Sequence, residues 1–192
     1  MAASNKKGKL LIFSAPSGSG KTTLVKHLMQ KVENLSFSIS ATSRKIRGGE
    51  INGKDYYYLS ADEFRKKIAA SEFVEWEEVY TDKFYGTLKS EVERIRNNGQ
   101  NVVFDVDVVG GVNIKKLYGS DALAIFVMPP SIEVLKQRLL TRGTDNEDDI
   151  KTRIDKAEYE LTFSNKFDEI IINDNLEKAQ METVDLVQRF VQ

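Results

Sequence analysis

Residues 15–22, Ala15-Pro16-Ser17-Gly18-Ser19-Gly20-Lys21-Thr22, directly follow the apolar run 10–13. Gly18 and Gly20 permit backbone angles that a Cβ forbids, so successive N–H groups can point into one concavity. Apolar residues then recur at helical spacing from 24 to 32, which predicts a helix whose N-terminus faces that concavity. The pattern predicts a phosphate-binding loop between a buried strand and a helix, with Ala15 where the first glycine usually stands.

The predicted loop supplies the groups that hold a nucleoside triphosphate. Lys21 is expected to reach the β- and γ-phosphates, and the Thr22 hydroxyl to ligate Mg²⁺. A glycine-rich surface turn is the alternative, but it leaves the strand, the helix and the Lys-Thr pair unexplained. The predicted ATP-binding residues of the loop are Ala15, Pro16, Ser17, Gly18, Ser19, Gly20, Lys21, Thr22 and Thr23.

The composition restricts the classes of function. The 192 residues carry a formal net charge of −1, which argues against nucleic acid as the main partner. Cysteine is absent, which excludes disulfides and thiolate metal sites. No apolar run approaches the roughly twenty residues that span a bilayer, so no membrane partner is expected. We expect a single cytoplasmic domain, as a monomer or a homodimer.

Apolar runs alternate with helical periods along most of the chain. Candidate strands cover residues 10–13, 37–40, 102–105, 122–127 and 170–172. Helical spacing starts at Ser131, runs again from 150 to 161, and closes the chain from 176 to 191. This βαβ alternation predicts an α/β fold, a three-layer sandwich with a parallel central sheet and helices on both faces.

Residues 40–89 depart from that alternation. The stretch is rich in charge and tyrosine and contains an Asn-Gly turn signal. Ser60 and Glu63 form a capping box before a short helix, and residues 73–80 alternate in the manner of a strand. We expect an antiparallel mini-sheet inserted over the carboxyl edge of the parallel core, where such folds hold a substrate.

Two aspartates follow the predicted strand 102–105. Asp105 ends it, at a position from which a carboxylate can support the Mg²⁺ held by the loop. Asp107 leaves the same face if the strand continues. Either aspartate could instead simply cap the next helix. The sequence therefore leaves open which of the two supports the metal.

Glu75 and Glu77 lie on one face of the predicted strand 73–80. The pattern alone predicts that both face solvent, and this stays our expectation for Glu77. If the inserted sheet binds a nucleotide, however, a carboxylate at Glu75 can accept hydrogen bonds from the N1–H and the 2-amino group of guanine. Adenine presents a lone pair at N1 instead, which a carboxylate repels.

Arg44 and Arg47 lie three residues apart in the stretch before the Asn-Gly turn. Two guanidinium groups at that spacing suit a dianionic phosphate, and nearby tyrosine hydroxyls would complete such a site. A solvated basic turn explains the two arginines equally well. The pair alone does not decide between these interpretations.

Taken together, the motifs resemble the signature of the guanylate kinase family. They are residues 40–50, 52–56, 73–76, 85–87, 105–107, 142–144 and 173–174, in family order, and they cover the chain from about Leu10 to its end. The resemblance implies reversible γ-phosphoryl transfer from Mg-ATP to GMP, with dGMP left open as an acceptor. It implies a core (9–39, 90–137 and 165–192), a mixed α/β GMP-binding region (40–89) and a short helical lid (138–164).

The resemblance also implies a set of site residues. The GMP phosphate is expected at Arg44, Arg47, Tyr56 and Tyr85, and the guanine at Ser40, Glu75, Thr87 and Asp107. The expected catalytic residues are Lys21, Arg44, Arg138, Arg142 and Arg153, with Asn173 beside the adenine of ATP and with Thr22 and Asp105 at the metal. Two residues depart from the family pattern, Ala15 in the loop and Val109 where glutamine is common.

The expected reaction needs no general base, because the attacking phosphate oxygen of GMP is already anionic. Two alternatives compete with this interpretation. A guanylate-kinase-like interaction domain typically has a degraded phosphate loop, whereas Lys21 and Thr22 are present here. A related kinase that phosphorylates another small molecule would have no use for Glu75 and Thr87.

Overall fold

In the computed structural model, which describes residues 7–142 and 147–192, the chain forms two sheets with helices packed around them. The core strands are β1 (Leu10–Ser14), β2 (Leu35–Phe37), β7 (Asn101–Asp105), β8 (Ala122–Met128) and β9 (Glu169–Ile172). The second sheet contains β3 (Ala41–Thr42), β4 (Tyr57–Tyr58), β5 (Phe73–Tyr80) and β6 (Lys83–Leu88). The α-helices are α1 (Lys21–Lys31), α2 (Ala61–Ala69), α3 (Lys89–Asn97), α4 (Val108–Tyr118), α5 (Ile132–Arg142), α6 (Glu147–Leu161) and α7 (Leu176–Val191). Within the described ranges, no helix is both long enough and apolar enough to cross a membrane.

The larger sheet is parallel throughout, in the order β2-β7-β1-β8-β9. Its central strand β1 is buried along its whole length and pairs with both β7 and β8. Continuous burial is expected for parallel strands, because their connecting helices cover both faces of the sheet. The predicted α/β fold with a parallel central sheet is confirmed.

Two apolar clusters hold β1 from its two faces. Leu11 packs with Leu24 of α1 and Val187 of α7, whereas Ile12 packs on the opposite face with Ile114 of α4. All five of these side chains are fully buried. Burying a side chain of this size contributes about 1.5–3 kcal/mol. The clusters therefore fix the point at which the chain leaves β1 for the loop 15–20.

The strand predicted at 37–40 was wrong in its bounds, since β2 ends at Phe37. Ser38 adds one more bond to the sheet edge, from its N–H to the carbonyl oxygen of Val103 at 2.9 Å. The chain then crosses to the second sheet, where Ala41–Thr42 forms β3. Pairing with the core sheet ends after Ser38, because Ala41–Thr42 pairs with β4 and β6 instead of β7.

The second sheet has the order β4-β3-β6-β5. β6 is antiparallel to both of its neighbours, but β3 and β4 are parallel, so the predicted antiparallel sheet is in fact mixed. A parallel pair needs a long crossover, and residues 43–56 provide it. The predicted capping box is confirmed: Ser60 Oγ accepts from Glu63 N, and Glu63 Oε2 accepts from Ser60 N.

Gly86 on β6 is a point where the second sheet has no room for a side chain. A Cβ there would lie 2.7 Å from the carbonyl oxygen of Glu75 and 2.8 Å from Cβ of Trp76. Because the first neighbour is backbone, β5 and β6 would have to separate. We expect Gly86→Ala to lower the free energy of unfolding by about 1–3 kcal/mol in urea titrations. Gly48→Ala, with nothing within 4 Å of the added Cβ, is the control, and equal stability of the two variants would contradict the prediction.

Candidate active site

The loop between β1 and α1 has the backbone that its glycines predict. The φ angles of Gly18 and Gly20 are 91° and 90°, in the left-handed region that favours glycine. Gly20 caps α1, and an added Cβ at this residue would collide with the side-chain amide of Asn173. The N-terminus of α1 therefore faces the concavity of the loop, an arrangement that binds phosphate groups.

Lys21, Thr22 and Asp105 meet below this loop. Lys21 Nζ lies 2.6 Å from Asp105 Oδ1 and donates to the carbonyl oxygen of Val106 at 2.9 Å. The Thr22 hydroxyl lies 3.5 Å from Asp105 Oδ2. The parallel register that pairs Phe13 with Asp105 brings this carboxylate to the loop. The three side chains thus share one site.

The oxygens of Thr22 and Asp105 suit Mg²⁺. This ion is usually held by one or two protein oxygens, and water and nucleotide phosphates complete its octahedron. Among the residues that the structure describes, no group of three or more His, Cys, Asp or Glu side chains could hold a metal ion.

Asp107 has a different position from Asp105. Its side chain accepts a hydrogen bond of 2.6 Å from Gly110 N and so caps α4. Its carbonyl oxygen accepts a 2.9 Å hydrogen bond from the Ser14 hydroxyl. Asp105, not Asp107, is thus the aspartate that contacts Thr22.

A cleft of about 610 Å³ opens beside the loop. This volume falls within the range of small-molecule sites. The phosphate loop and the residues after β7 form one side of the cleft, and helices α5 and α6 contribute Arg138, Arg153, Lys156 and Glu160. Sequence analysis missed Lys156 and Glu160, although they follow Arg153 at the helical spacing that brings side chains to one face.

Two of the predicted lid arginines reach the phosphate loop or its support. Arg153 Nη1 donates to Ser17 Oγ at 3.0 Å, and Arg138 Nη2 donates to the carbonyl oxygen of Asn173 at 2.9 Å. Arg142 is the last residue of α5, but its side chain lies outside the described residues, as do residues 143–146. The structure therefore brings Arg138 and Arg153 to the cleft.

Asn173 follows β9 and supports the phosphate loop from outside. It is only 5% exposed, and its Nδ2 donates to the carbonyl oxygen of Ser19 at 2.8 Å. Its own N–H donates to the carbonyl oxygen of Met128 at the end of β8. This side chain, predicted to lie beside the adenine of ATP, ties the loop to the edge of the core sheet.

Glu50 and Tyr58, which sequence analysis missed, hold Arg44 in place. Glu50 makes a bidentate ion pair with Arg44, with distances of 2.7 Å from Nη1 to Oε2 and 2.6 Å from Nη2 to Oε1. The same carboxylate accepts hydrogen bonds from the Tyr58 hydroxyl at 2.6 Å and from Arg47 N at 2.8 Å. The Arg44 guanidinium, followed by the Tyr58 hydroxyl, holds the pKa of Glu50 well below its usual range. Arg44 is therefore fixed before any ligand binds.

Tyr56 and Tyr85 complete this group. The Arg44 guanidinium lies 4.9 Å from the Tyr56 ring centroid, and the Tyr56 and Tyr85 rings lie 6.1 Å apart. Arg47 is exposed in the same segment. The predicted phosphate-binding side chains Arg44, Tyr56 and Tyr85 thus come together, with Arg47 at their edge.

Glu75 and Thr87 face each other across β5 and β6. The Thr87 hydroxyl donates to Glu75 Oε1 at 2.7 Å. A Cβ on Gly110 would lie 3.1 Å from Glu75 Oε2 and 3.3 Å from Asp107 Oδ1, so this glycine leaves room for both carboxylates. Burial raises the pKa of Glu75 to about 7, the hydrogen bond from Thr87 opposes that rise, and the charge of Asp107 adds to it.

Glu77 and Ser40 border the same region. Glu77 is exposed, as predicted, but its carboxyl is also hydrogen-bonded to that of Asp107, which together with burial raises the pKa of Glu77 to about 7. Ser40 is half-buried between the two sheets, and its carbonyl oxygen accepts from Tyr57 N at 2.9 Å. Glu77 is a further residue whose place the alternating pattern could not reveal.

Comparison with known proteins identifies the family of this chain. Residues 7–190 match the family model described as guanylate kinase. The chain belongs to the guanylate kinase family. A guanylate kinase of Bacteroides fragilis is 57% identical over 185 residues, which are 96% of this chain and 91% of that relative. A guanylate kinase of Porphyromonas gingivalis is 60% identical over 169 residues, 88% of this chain and 90% of that relative.

A solved structure supports the same family. The crystal structure of guanylate kinase from Anaplasma phagocytophilum matches with a TM-score of 0.74 and 27% identity, over 97% of this chain and 88% of that chain. The family that the motifs predicted is therefore confirmed, as is the enzyme class, an ATP:GMP phosphotransferase.

Proposed function

We propose that the phosphate loop of this enzyme binds Mg-ATP and that the second sheet presents GMP to it for reversible phosphoryl transfer. The observation that carries this proposal is the meeting of two sites at one cleft. Asp107 lines the cleft together with Lys21 and Asp105, and it also lies next to Glu75 on the side of the second sheet. A donor and an acceptor held at these two sites would face each other.

The donor half is formed by the loop and the end of β7. Loop amides and Lys21 would bind the β- and γ-phosphates of ATP. Thr22 and Asp105 would hold Mg²⁺, which when bound compensates phosphate charge. The ion pair of 2.6 Å between Lys21 and Asp105 keeps the ammonium group at the loop. This short contact supports the assignment of both residues to the donor site.

The acceptor half is formed by the second sheet. Glu75 would accept hydrogen bonds from the N1–H and the 2-amino group of guanine, and the Thr87 hydroxyl fixes the orientation of that carboxylate. Arg44, Tyr56 and Tyr85 would hold the phosphate of GMP. The guanidinium N–H groups of Arg44 that Glu50 leaves free, together with the adjacent phenol hydroxyls, suit a dianionic phosphate. The resemblance of the motifs to the guanylate kinase family supports the same role for Ser40, Arg47 and Asp107.

Transfer itself requires alignment and charge compensation. Two unit charges about 4 Å apart repel each other by about 4 kcal/mol at an effective dielectric constant near 20. Lys21, Arg44, Arg138 and Arg153 supply positive charge around the place where the two polyanions meet, which supports their catalytic assignment. Closure of α5 and α6 over the cleft would exclude water, a competing acceptor. The catalytic role of Arg142, the lid boundaries 138–164, the cytoplasmic location and the oligomeric state stay predictions.

The pKa of Glu75 gives the reaction a specific pH dependence. Its carboxylate must be ionised to accept two hydrogen bonds, and its pKa is raised to about 7. We expect kcat/KM for GMP to fall about fourfold between pH 8 and pH 6.5, because this parameter reports the ionisation of the free enzyme. Measurements from about pH 6.5 upward avoid most of the second ionisation of the GMP phosphate. A flat profile between about pH 6.5 and 8 would contradict the assigned role of Glu75.

The raised pKa of Glu75 also affects stability, but in the opposite direction: the folded state loses stability as the pH rises. Because the folded-state pKa of Glu75 lies above its ordinary value of 4.5, the folded state binds more protons than the unfolded state between these values. The contribution of Glu75 to stability is therefore fully present below about pH 4.5 and is lost as the pH rises towards 7. Glu75→Gln should remove this dependence in thermal melts.

A coupled assay of ADP release tests the proposed function directly. The full chain would be assayed with Mg-ATP and, in turn, with GMP, AMP, CMP, UMP and IMP. We expect GMP to be the preferred acceptor, and IMP to be weaker because it lacks the 2-amino group that Glu75 would bind. Preference for AMP or UMP would overturn the acceptor assignment.

A further inference from the structure

Glu91 on α3 is a buried carboxylate that joins the second sheet to the parallel core. The residue is only 3% exposed, and its Oε2 accepts a 2.9 Å hydrogen bond from the Tyr57 hydroxyl of β4. Arg94, one turn later on α3, donates from Nε to Oε2 and from Nη2 to Oε1, both at 2.9 Å. Glu91 therefore has its ion-pair partner on its own helix and accepts a further bond from the second sheet.

The charge of Glu91 strengthens the bond from Tyr57. Burial raises the pKa of Glu91, but the hydrogen bonds from Arg94 and Tyr57 outweigh it and bring the pKa below its usual range. A hydrogen bond to an ionised acceptor is roughly twice as strong as one between neutral groups. At neutral pH the Tyr57 hydroxyl is thus held by a carboxylate, not by a neutral acid.

Tyr57 and Glu91 belong to different apolar clusters. The Tyr57 ring packs against the cluster of the second sheet that contains Phe64. Val92 and Ile95, which follow Glu91 on α3, are fully buried in the cluster under the parallel sheet. The hydrogen bond between Tyr57 and Glu91 therefore connects two clusters that are packed separately.

This contact lies at one edge of the second sheet. The strand order β4-β3-β6-β5 places β4 and β5 at opposite edges. Val74 of β5 packs against the cluster that contains Val92, so the second sheet is tied to the core at both edges.

The two edges of the second sheet carry different parts of the proposed acceptor site. Glu75, which would bind the base, lies on β5. Tyr56, which would bind the acceptor phosphate together with Arg44, directly precedes β4 and lies against the Arg44 guanidinium. A loss of the bond between Tyr57 and Glu91 is therefore expected to displace the phosphate side of the site more than the base side.

We propose that Glu91 is a positioning residue which, through its hydrogen bond from Tyr57, sets the place of the acceptor phosphate relative to the donor loop. The inference rests on the proposed function, since it requires GMP on the second sheet. Glu91 and Tyr57 would act without touching the nucleotide, by fixing β4. A displacement of about 1 Å can lower the rate of a reaction step about 100-fold. A small movement of β4 should therefore be visible in the rate of transfer.

The test replaces Tyr57 by phenylalanine, which removes the hydroxyl and keeps the packed ring. We expect the single-turnover rate of GMP phosphorylation, with excess enzyme and saturating Mg-ATP, to fall about tenfold. The Kd of GMP should change less than about threefold, because Glu75 and Thr87 would still hold the base. Trp76, the single tryptophan of the chain and the neighbour of Glu75, reports this Kd in fluorescence titrations. Tyr80→Phe makes the same chemical change at an exposed tyrosine of β5 and should keep both values within about twofold.

A double variant tests whether the two residues act through one bond. Glu91→Gln removes the charge that holds the Tyr57 hydroxyl, and we expect it to lower the single-turnover rate as well. If the shared bond carries the effect, Tyr57→Phe combined with Glu91→Gln should lose no more than the larger of the two single losses. Losses that multiply would contradict a shared role.

The outcomes separate this inference from a structural role and from the proposed function. All rates are measured at a temperature at which the variants are folded, as shown by circular dichroism. A Tyr57→Phe variant with a lower melting temperature but an unchanged single-turnover rate would overturn the positioning role. A raised Kd of GMP with an unchanged rate would overturn it too. Either result would leave the proposed function standing, because GMP turnover by the original enzyme tests that function independently.

Discussion

Replacement of Glu75 by glutamine is expected to lower kcat/KM for GMP by about 100- to 1,000-fold. Glutamine keeps the size of the side chain but places an NH₂ group against the N–H donors of guanine. It therefore loses an acceptor and leaves buried donors unpaired. Steady-state kinetics with GMP as the varied substrate measure the loss, and the Kd of Mg-ATP from calorimetry should change less than about twofold.

Glu78→Gln is the matched control for this variant. Glu78 lies on the same strand but is exposed, and its carboxylate accepts a hydrogen bond from Asp82 N at the far end of the hairpin. We expect it to keep GMP turnover within about twofold. If Glu75→Gln lost ATP affinity and GMP turnover to the same extent, Glu75 would be a structural residue of the second sheet and the assignment to guanine would be wrong.

Replacement of Lys21 by methionine is expected to lower kcat by about 1,000-fold at saturating ATP and GMP. The substitution keeps an unbranched side chain of similar length but removes the ammonium group that lies 2.6 Å from Asp105 at the loop. Because we propose that this charge stabilises the phosphoryl group during transfer, its loss should affect kcat more than the KM of either substrate. Single-turnover experiments with excess enzyme would measure the chemical step.

Lys26→Met provides the comparison for this prediction. Lys26 is exposed on the same helix α1, away from the loop, so its removal should leave kcat unchanged. Circular dichroism melts would show that both variants fold. If Lys21→Met retained kcat and lost only ATP affinity, Lys21 would contribute binding alone and the transfer mechanism would need another cation.

The parts of the fold that follow from local chemistry could be predicted from the sequence. The loop 15–22 was predictable because its glycines must adopt positive φ angles and its lysine and threonine must follow them. Helix α4 gave no comparable signal, since Gly110 and Gly111 interrupt its helical pattern and glycine is a poor helix former. A Cβ on Gly111 would lie 2.6 Å from Ser14 Oγ, so tertiary packing, which the sequence does not display, requires this glycine.

The second sheet could be predicted from the sequence only in part. Strands β3 and β4 have only two residues each, too few for an alternating pattern. Their parallel pairing depends on the path of residues 43–56, which no local signal specifies. The strand β5 was easier to predict, because residues 74–77 alternate between apolar and acidic side chains.

Some residues of the candidate site could likewise be predicted from the sequence, and others could not. Arg44, Glu75 and Lys21 lie within recognisable motifs, so the sequence alone was enough to propose them as site residues. Glu50 lies inside a quoted motif, but its ion pair with Arg44 depends on the folded turn between them. Glu160 was missed because a single acidic residue on a helix is normally solvent-exposed, and only the packing of α6 against the cleft buries it.

A crystal structure of the full chain with GMP and a non-hydrolysable ATP analogue would test the central claim most directly. The central claim is that the Glu75 carboxylate recognises guanine opposite a triphosphate held at Lys21. We expect the two carboxylate oxygens to lie within hydrogen-bonding distance of guanine N1 and N2, with the triphosphate against the loop amides. A Glu75 carboxylate turned away from the base, with the guanine held by other residues, would contradict the claim.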